Sequence, residues 1–425
     1  VDMLEAGDLI KNPLLANVLD KVKLTGSDAV YHGAFSASII QDVQSAGGIL
    51  SIADLQNYKP VLRTPLVASD VGGHTIVSVP PPSSGGATLI GMARFLSGYL
   101  NNASPKKHHR IVEAMKHAFA IRMSLSDPNY VPSQNLEAVH DLTKGDYMEK
   151  LRIETSDVTT LPLNEYGGAK WNLLNVSALD QGKPTDFKEG DRQRRNVRQR
   201  HRRQRRRLNK FGYLDDHGTS HLSIIDSEQN AVSITTSVNT YFGSGIVGEN
   251  TGILFNSQMD DFSTPRGPNF SGLEPSPANY IQPGKRPLSS MTPTFVFQND
   301  PISGGIGDLI LALGGSGGPK IITATLQVLL NTIFDNMSLF DAVAQPRLHD
   351  QLVYHSEAVT GFEMTTIGRV QLQASNAILK ELSGTGHDLL ALDYLGCVQA
   401  IRRNLMTGRL LGVSDFRKGG KPAGY

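Results

Sequence analysis

One cysteine and one tryptophan stand among 425 residues, and that scarcity already excludes several classes. Cys397 has no partner for an intrachain disulfide, and with no second cysteine a zinc ribbon, a C-x-x-C redox motif or a small disulfide scaffold is ruled out. It lies in LDYLGCVQAIRR, an apolar run typical of a buried strand, so the thiol reads as core. No stretch reaches the ~18 to 20 apolar residues that a membrane helix needs. The opening VDMLEAGDLI has neither the basic nor the apolar region of a signal peptide. No internal repeat is visible at periods of roughly 20 to 50 residues. What is present is ordinary for a globular chain: 39% hydrophobic and 19% charged residues, enough to bury a core in one large α/β unit or in several domains.

The formal charge of +1 averages two unlike parts. Ten arginines fall between Arg192 and Arg207, with no acid among them. Without them 31 basic residues face 40 acids, a balance of −9. Mutual repulsion makes a surface loop the expectation for this insert. The competing reading is an arginine-rich nucleic-acid-binding segment on an inactive scaffold, which the lack of interleaved aromatics for base stacking weakens. Four N-x-S/T sequons, at Asn102, Asn175, Asn269 and Asn336, suit a secreted or lumenal protein.

Along the chain, residues 10–57 read as short helices, with Ser51 to Asp54 shaped as an N-terminal cap. Residues 62–79 alternate like strands about a GGH turn, and PPPSSGG then breaks the pattern. Helices are expected over 86–100 and 107–125, and 126–190 is turn-rich and weakly periodic. Beyond Ser220 the texture turns to β: HLSIID and AVSITTSV flank a polar turn as a hairpin would. Residues 262–290 form a long Pro-, Ser- and Gly-rich loop of the kind found over active sites. TPTFVF and DLILALGG read as buried strands, and GGSGGPK leads into an apolar helix.

Three patterns carry chemistry. His109, Glu113 and His117 recur every four residues and share a helix face where a metal could sit, although a solvated face is the simpler expectation. Gly314-Gly315-Ser316-Gly317-Gly318 is a literal G-x-S-x-G between strand and helix. It is either a nucleophile elbow, with Asp335 or Asp341 and His349 or His355 completing an α/β serine hydrolase, or a run of bared backbone N–H groups facing an anion. Gly218-Thr219-Ser220-His221 precedes a strand; a threonine freed at its own α-amino group carries its base with it, since that amine has a pKa of about 8.

The stretch LDDHGTSHLSIID through GILFNSQMDDF, then PSPANYIQPGKRPLSSMTP, LGGSGGPKI, AQPRLHDQL and DFRKGGKPAGY, resembles the gamma-glutamyltransferase family, as do QDVQSAGGILSIADLQNYKP, PPPSSGG and HHRIVEAMKHAFAIRMSLSDP upstream. The resemblance implies an α/β fold, the four-layer αββα sandwich of N-terminal-nucleophile hydrolases, and a precursor that cuts itself before Thr219. Residues 1–190 would belong to the large subunit, 191–218 to the Arg-rich insert and pre-cleavage segment, and 219–425 to the small catalytic subunit. Thr219 would attack glutathione or another γ-glutamyl compound and pass the γ-glutamyl group to water, an amino acid or a dipeptide, with no metal or cofactor. It also implies that Ser237 contacts the nucleophile and that Gly317 and Gly318 supply the oxyanion donors. Asn239, Gln258 and Asp261 would hold the substrate ammonium, Ser289 and Ser290 its α-carboxylate, and Tyr241 would line the wall. Localisation would be the secretory pathway: extracellular, at the cell surface or vacuolar.

The sequence departs from that pattern in places. Ser237 and Gln258 stand where the family also uses Thr and Glu. The family's carboxylate-binding arginine falls upstream of anything matching Val1, and no residue here aligns with it. The expectation is therefore a fragment lacking an N-terminal part, inactive and poorly folded by itself.

Overall fold

The computed structural model describes residues 7–99, 106–172, 218–300 and 302–424. The Arg-rich insert and the sequons at Asn102 and Asn175 lie outside the described residues. The chain divides into two compact units, Val1–Arg63 with Val238–Gln258, and Thr64–Ser237 with Met259–Tyr425.

In the first unit, α1 (Pro13–Thr25) starts with proline at its first position and is capped by Asn12 Oδ1, which accepts from Leu15 N. After α2 (Asp28–Tyr31) and α3 (Ser36–Ser45), α4 (Ile52–Asn57) begins with the capping box expected from the sequence. There Asp54 N donates to Ser51 Oγ and Ser51 N donates to Asp54 Oδ2 at 2.8 Å. Buried Asp42 of α3 ties residues 238–258 to the helices by accepting from Asn250 N, Asn250 Nδ2 and Thr251 Oγ1. Burial alone would raise its pKa, but these donors outweigh that and hold it below the usual carboxylate value.

The second unit is built on an antiparallel six-stranded sheet. Its strands are β1 (Leu66–Val71), β2 (His74–Ser78), β5 (Thr294–Asn299), β6 (Ile306–Ser316), β11 (Cys397–Arg403) and β12 (Leu410–Ser414), in the order β1-β2-β5-β6-β11-β12. Between β2 and β5 in sequence come the helices α5 (Gly85–Ser97), α6 (Lys107–Arg122), α7 (Pro132–Thr143), α8 (Tyr147–Glu154) and α9 (Gly168–Trp171), then the hairpin β3 (Thr219–Ile225) and β4 (Ala231–Ser237). After β6 come α10 (Lys320–Leu329) and α11 (Leu339–Ala344), then a small sheet of β7 (Leu348–His349), β8 (Thr360–Ile367), β9 (Val370–Gln373) and β10 (Leu389–Leu392) beside α12 (Asn376–Gly384).

α5 and α10 pack on the six-stranded sheet, and the β3–β4 hairpin also packs against β6. The hairpin approach is close: a side chain on Gly314 would meet the His221 ring at 2.3 Å, so the glycine is what lets β3 lie on β6. Every residue of α10 is buried, and fully burying each of its Leu, Ile and Val side chains contributes roughly 1.5–3 kcal/mol. Cys397 is buried in β11 as expected, and burial pushes its thiol up to about 12.

Two expectations need correction. The 126–190 stretch contains α7 and α8, which its weak periodicity hid, because α7 buries polar Asn135 and Asp141 beside Ala138 and Leu142. His109, Glu113 and His117 are buried, at 0%, 0% and 1% exposure, and do not form a solvated face. Among the described residues, no helix is long and apolar enough to cross a membrane.

Candidate active site

Thr219 is the first residue of β3 and faces Ser237, the last of β4, in register. It is 7% exposed, its Oγ lies 2.8 Å from Ser237 Oγ, and its carbonyl accepts from Lys418 Nζ at 2.6 Å. Cross-strand pairing therefore sets the nucleophile beside a second hydroxyl, while a lysine from the C-terminal tail grips its backbone. His221, one alternation along β3, is no base for it. Its ring nitrogens engage Thr235 Oγ1 and Ser223 Oγ, and burial lowers its pKa to about 4.

The glycine turn joins β6 to α10. Gly317 has φ 130° and Gly318 φ 61°, both in the region that L side chains rarely adopt, and a side chain on Gly317 would meet Gly396 Cα at 2.9 Å. Successive N–H groups thus stand bare at a strand-to-helix turn, as an oxyanion site requires. The elbow reading of Ser316 loses three of its four candidate partners. His349 spends its nitrogens on Thr323 Oγ1 and Gln351 Oε1, Asp335 pairs with Lys107, and Asp341 bonds Ser338 at the start of α11. Ser316 itself closes β6 opposite Cys397, at 2% exposure.

The serine pair is held by the PPPSSGG loop. Ser289 N donates to Pro82 O, Ser289 O accepts from Ser84 N and Ser84 Oγ, and Ser289 Oγ accepts from Met291 N. Behind it lies a residue the sequence reading missed. Arg122, the last residue of α6, is 3% exposed and donates from Nε to Ser84 Oγ and from Nη2 to Ser290 Oγ, both at 2.9 Å. Burial lowers its pKa to about 10, opposed by the charge of Asp261. Its only signal in the sequence was a charge at the end of an otherwise apolar turn, AFAIRM. Arg122 and Asp261 line a recess shared with Glu274, Ser276, Asn279 and Leu288. Glu274 Oε1 is buried with no hydrogen-bond partner, and burial pushes that carboxyl above its usual range.

Asn239, Tyr241 and Gln258 belong to the first unit, whereas Thr219, Ser237, Asp261, Ser289, Ser290, Gly317 and Gly318 belong to the second. Asn239 has φ 72° and donates from Nδ2 to Ser257 O, Tyr241 stacks edge-on with Phe242, and Gln258 N donates to Asn256 Oδ1.

The buried histidines have another arrangement. His109, Glu113 and His387 bring potential ligand atoms within 4.8 Å of one another. The hydrogen bonds order the protons: His109 Nε2 faces Ser156 O and must donate, so Nδ1 accepts from His387 Nε2, and His387 Nδ1 accepts from the Lys116 ammonium. Lys116 also reaches Glu113 Oε1 at 3.3 Å, so the ammonium supplies the cation that the carboxylate faces.

A family model described as Gamma-glutamyltranspeptidase matches residues 1–425. The chain is 35% identical over its whole length to glutathione hydrolase 2 of Arabidopsis thaliana and 33% identical over 99% of its length to glutathione hydrolase 3 of the same plant. It spans 66% and 62% of those two proteins. Among solved structures, a cephalosporin acylase from Bacillus halodurans matches at a TM-score of 0.70 and 21% identity over 99% of this chain and 64% of that one, a likeness of fold. The fold is that of the N-terminal-nucleophile hydrolases, and the chain belongs to the gamma-glutamyltranspeptidase family.

Proposed function

We propose that this polypeptide carries the catalytic part of an enzyme that cleaves γ-glutamyl amides, glutathione among them, after cutting itself between Gly218 and Thr219. The observation that carries the proposal is the position of Thr219 at the head of β3 with its Oγ 2.8 Å from Ser237 Oγ. In the uncut chain the Thr219 nitrogen is an amide and cannot act as a base. Attack of Thr219 Oγ on the Gly218 carbonyl carbon, with loss of the C–N bond, gives an ester. The hydroxyl proton passes to the departing nitrogen, so the same step frees the α-amine. Water then hydrolyses the ester, releasing the Gly218 carboxylate and restoring the Thr219 hydroxyl, and the amine can take a proton at neutral pH.

In the second reaction the hydroxyl adds to the γ-carbonyl of the donor and its proton passes to the amine. The N–H groups of Gly317 and Gly318 stabilise the oxyanion, and the leaving amine departs with the proton. Water or the amine of an amino acid or dipeptide then attacks the γ-glutamyl ester, and Thr219 Oγ leaves with a proton. Asp261 answers the donor's ammonium, because a buried cation needs a paired anion. Ser289 and Ser290 take the α-carboxylate. The divisions 1–190, 191–218 and 219–425 then correspond to large subunit, insert and small subunit, and both compact units contain residues from each side of the cut. A secretory-pathway location fits the exposed sequon at Asn336. The test is the pair Thr219→Ala and Ser316→Ala in the full-length protein, scored for subunit formation and for release of a chromogenic γ-glutamyl anilide. The first should abolish both, and the second should spare processing.

A further inference from the structure

Arg122 is a donor with no acceptor, and this fixes the polarity of everything it touches. Since Nη2 donates to Ser290 Oγ, one of that oxygen's two lone pairs is engaged and its O–H must donate to a group other than the guanidinium. Ser289 is set the same way, because Met291 N donates to its Oγ. Ser84 relays the arrangement: its Oγ accepts from Arg122 Nε and donates to Ser289 O, so the guanidinium is tied to both serines of the pair. Ser84 and Arg122 are buried, at 0% and 3% exposure, while Ser289 and Ser290 remain half-buried and reachable. Asp261 stands across the recess from the same guanidinium. The recess therefore offers a positive charge and a carboxylate, and the Ser290 hydroxyl lies 2.9 Å from the same guanidinium. That is the complement of a carbon bearing both a carboxylate and an ammonium.

We propose that Arg122 is a positioning residue for the donor's α-carboxylate: it presets Ser290, and through Ser84 the Ser289 segment, as hydrogen-bond donors and places a buried positive charge behind them. The inference rests on the reading of Ser289 and Ser290 as the carboxylate site. It accounts for why two neutral hydroxyls can serve there, since each alone could equally well orient a lone pair toward the anion and repel it.

The experiment uses the full-length protein and two anilides: the γ-glutamyl compound, and the 4-aminobutyryl compound that keeps the amine and the reacting amide but lacks the α-carboxylate. Wild type should prefer the first through KM; equal KM values would sink the reading of the serine pair itself. If wild type discriminates, Arg122→Lys should raise KM for the γ-glutamyl anilide roughly tenfold or more, the scale of a charge-assisted hydrogen bond, with kcat within about threefold and the 4-aminobutyryl KM unmoved. An equal loss on both substrates would show a merely structural arginine, and unchanged discrimination would remove Arg122 from recognition; either overturns the proposal. Should Arg122→Lys fail to form subunits, Ser84→Ala loosens the guanidinium without touching Ser290. It should give a smaller KM rise, about threefold, again confined to the carboxylate-bearing donor, and no such rise would equally overturn it.

Discussion

Thr219 and Ser316 are two hydroxyls beside glycines, each at one end of a strand and each nearly buried, yet their surroundings give them opposite chemical prospects. Ser316 has the better-known motif around it, but His349, Asp335 and Asp341 are committed to Thr323 and Gln351, Lys107 and Ser338. Thr219 has the poorer motif, but a hydroxyl stands 2.8 Å away and its own amine becomes the base once the chain is cut. The glycines around Ser316 serve through their backbone, and a spacing pattern cannot tell a nucleophile's neighbours from an anion's donors.

The largest effect that would sharpen this contrast is Thr219→Ala, expected to lower turnover at least about 10³-fold and to leave a single uncut band on a gel. Next comes Gly317→Ala. Its side chain would press on Gly396 Cα at 2.9 Å in a backbone region that costs roughly 1–3 kcal/mol, and the resulting displacement of the residue 317 N–H from the oxyanion should lower kcat about 10²-fold.

The buried histidines bear on the same comparison, since His349 would have to titrate to serve Ser316. Burial lowers His349 and His117 to about 3, His387 to about 2 and His221 to about 4. In the unfolded chain these groups take up protons near pH 6.5, whereas in the folded chain they stay neutral to far lower pH. Their contribution to stability is therefore full above pH 6.5 and is lost as pH drops, down to about 4 for His221 and to about 2 to 3 for His387, His117 and His349. Each histidine should cost about 2 kcal/mol by pH 5, and a thermal melt at pH 7 and pH 5 should show a marked drop. Asp415 adds a later loss. Burial would raise its pKa, but Arg347 and Arg417 more than offset that, so its contribution is full above about pH 3.8 and is lost as pH falls further, through its lowered folded value.

Ser237→Ala should lower kcat about tenfold, the worth of one hydrogen bond to the nucleophile. Ser316→Ala should change turnover by less than about threefold; a loss as large as that of Thr219→Ala would break the comparison.

Local rules made much of the fold legible. The capping box at Ser51, the hairpin turn at 227–230, the buried strands β5 and β6 and the apolar α10 all follow from patterns a few residues wide. α7 did not, because its buried face mixes Asn135 and Asp141 with apolar residues. The glycine turn and Thr219 were visible as motifs, but their roles came from the family resemblance. Arg122 was invisible for a different reason. Its partners, Ser84 and Ser290, lie 38 and 168 residues away, and only the tertiary fold brings a helix end, a proline loop and a serine pair together. The histidine face on α6 misled the reading because His109 and Glu113 are satisfied by His387, Ser156, Tyr166 and Lys116, none of which its spacing reveals.

The most direct test of the central claim is N-terminal sequencing of the smaller fragment formed when the purified full-length precursor is incubated. The fragment should begin Thr219-Ser220-His221-Leu222, with anilide hydrolysis appearing in step with it. An uncut chain that hydrolyses the anilide, or an active fragment starting at any other residue, would contradict the claim.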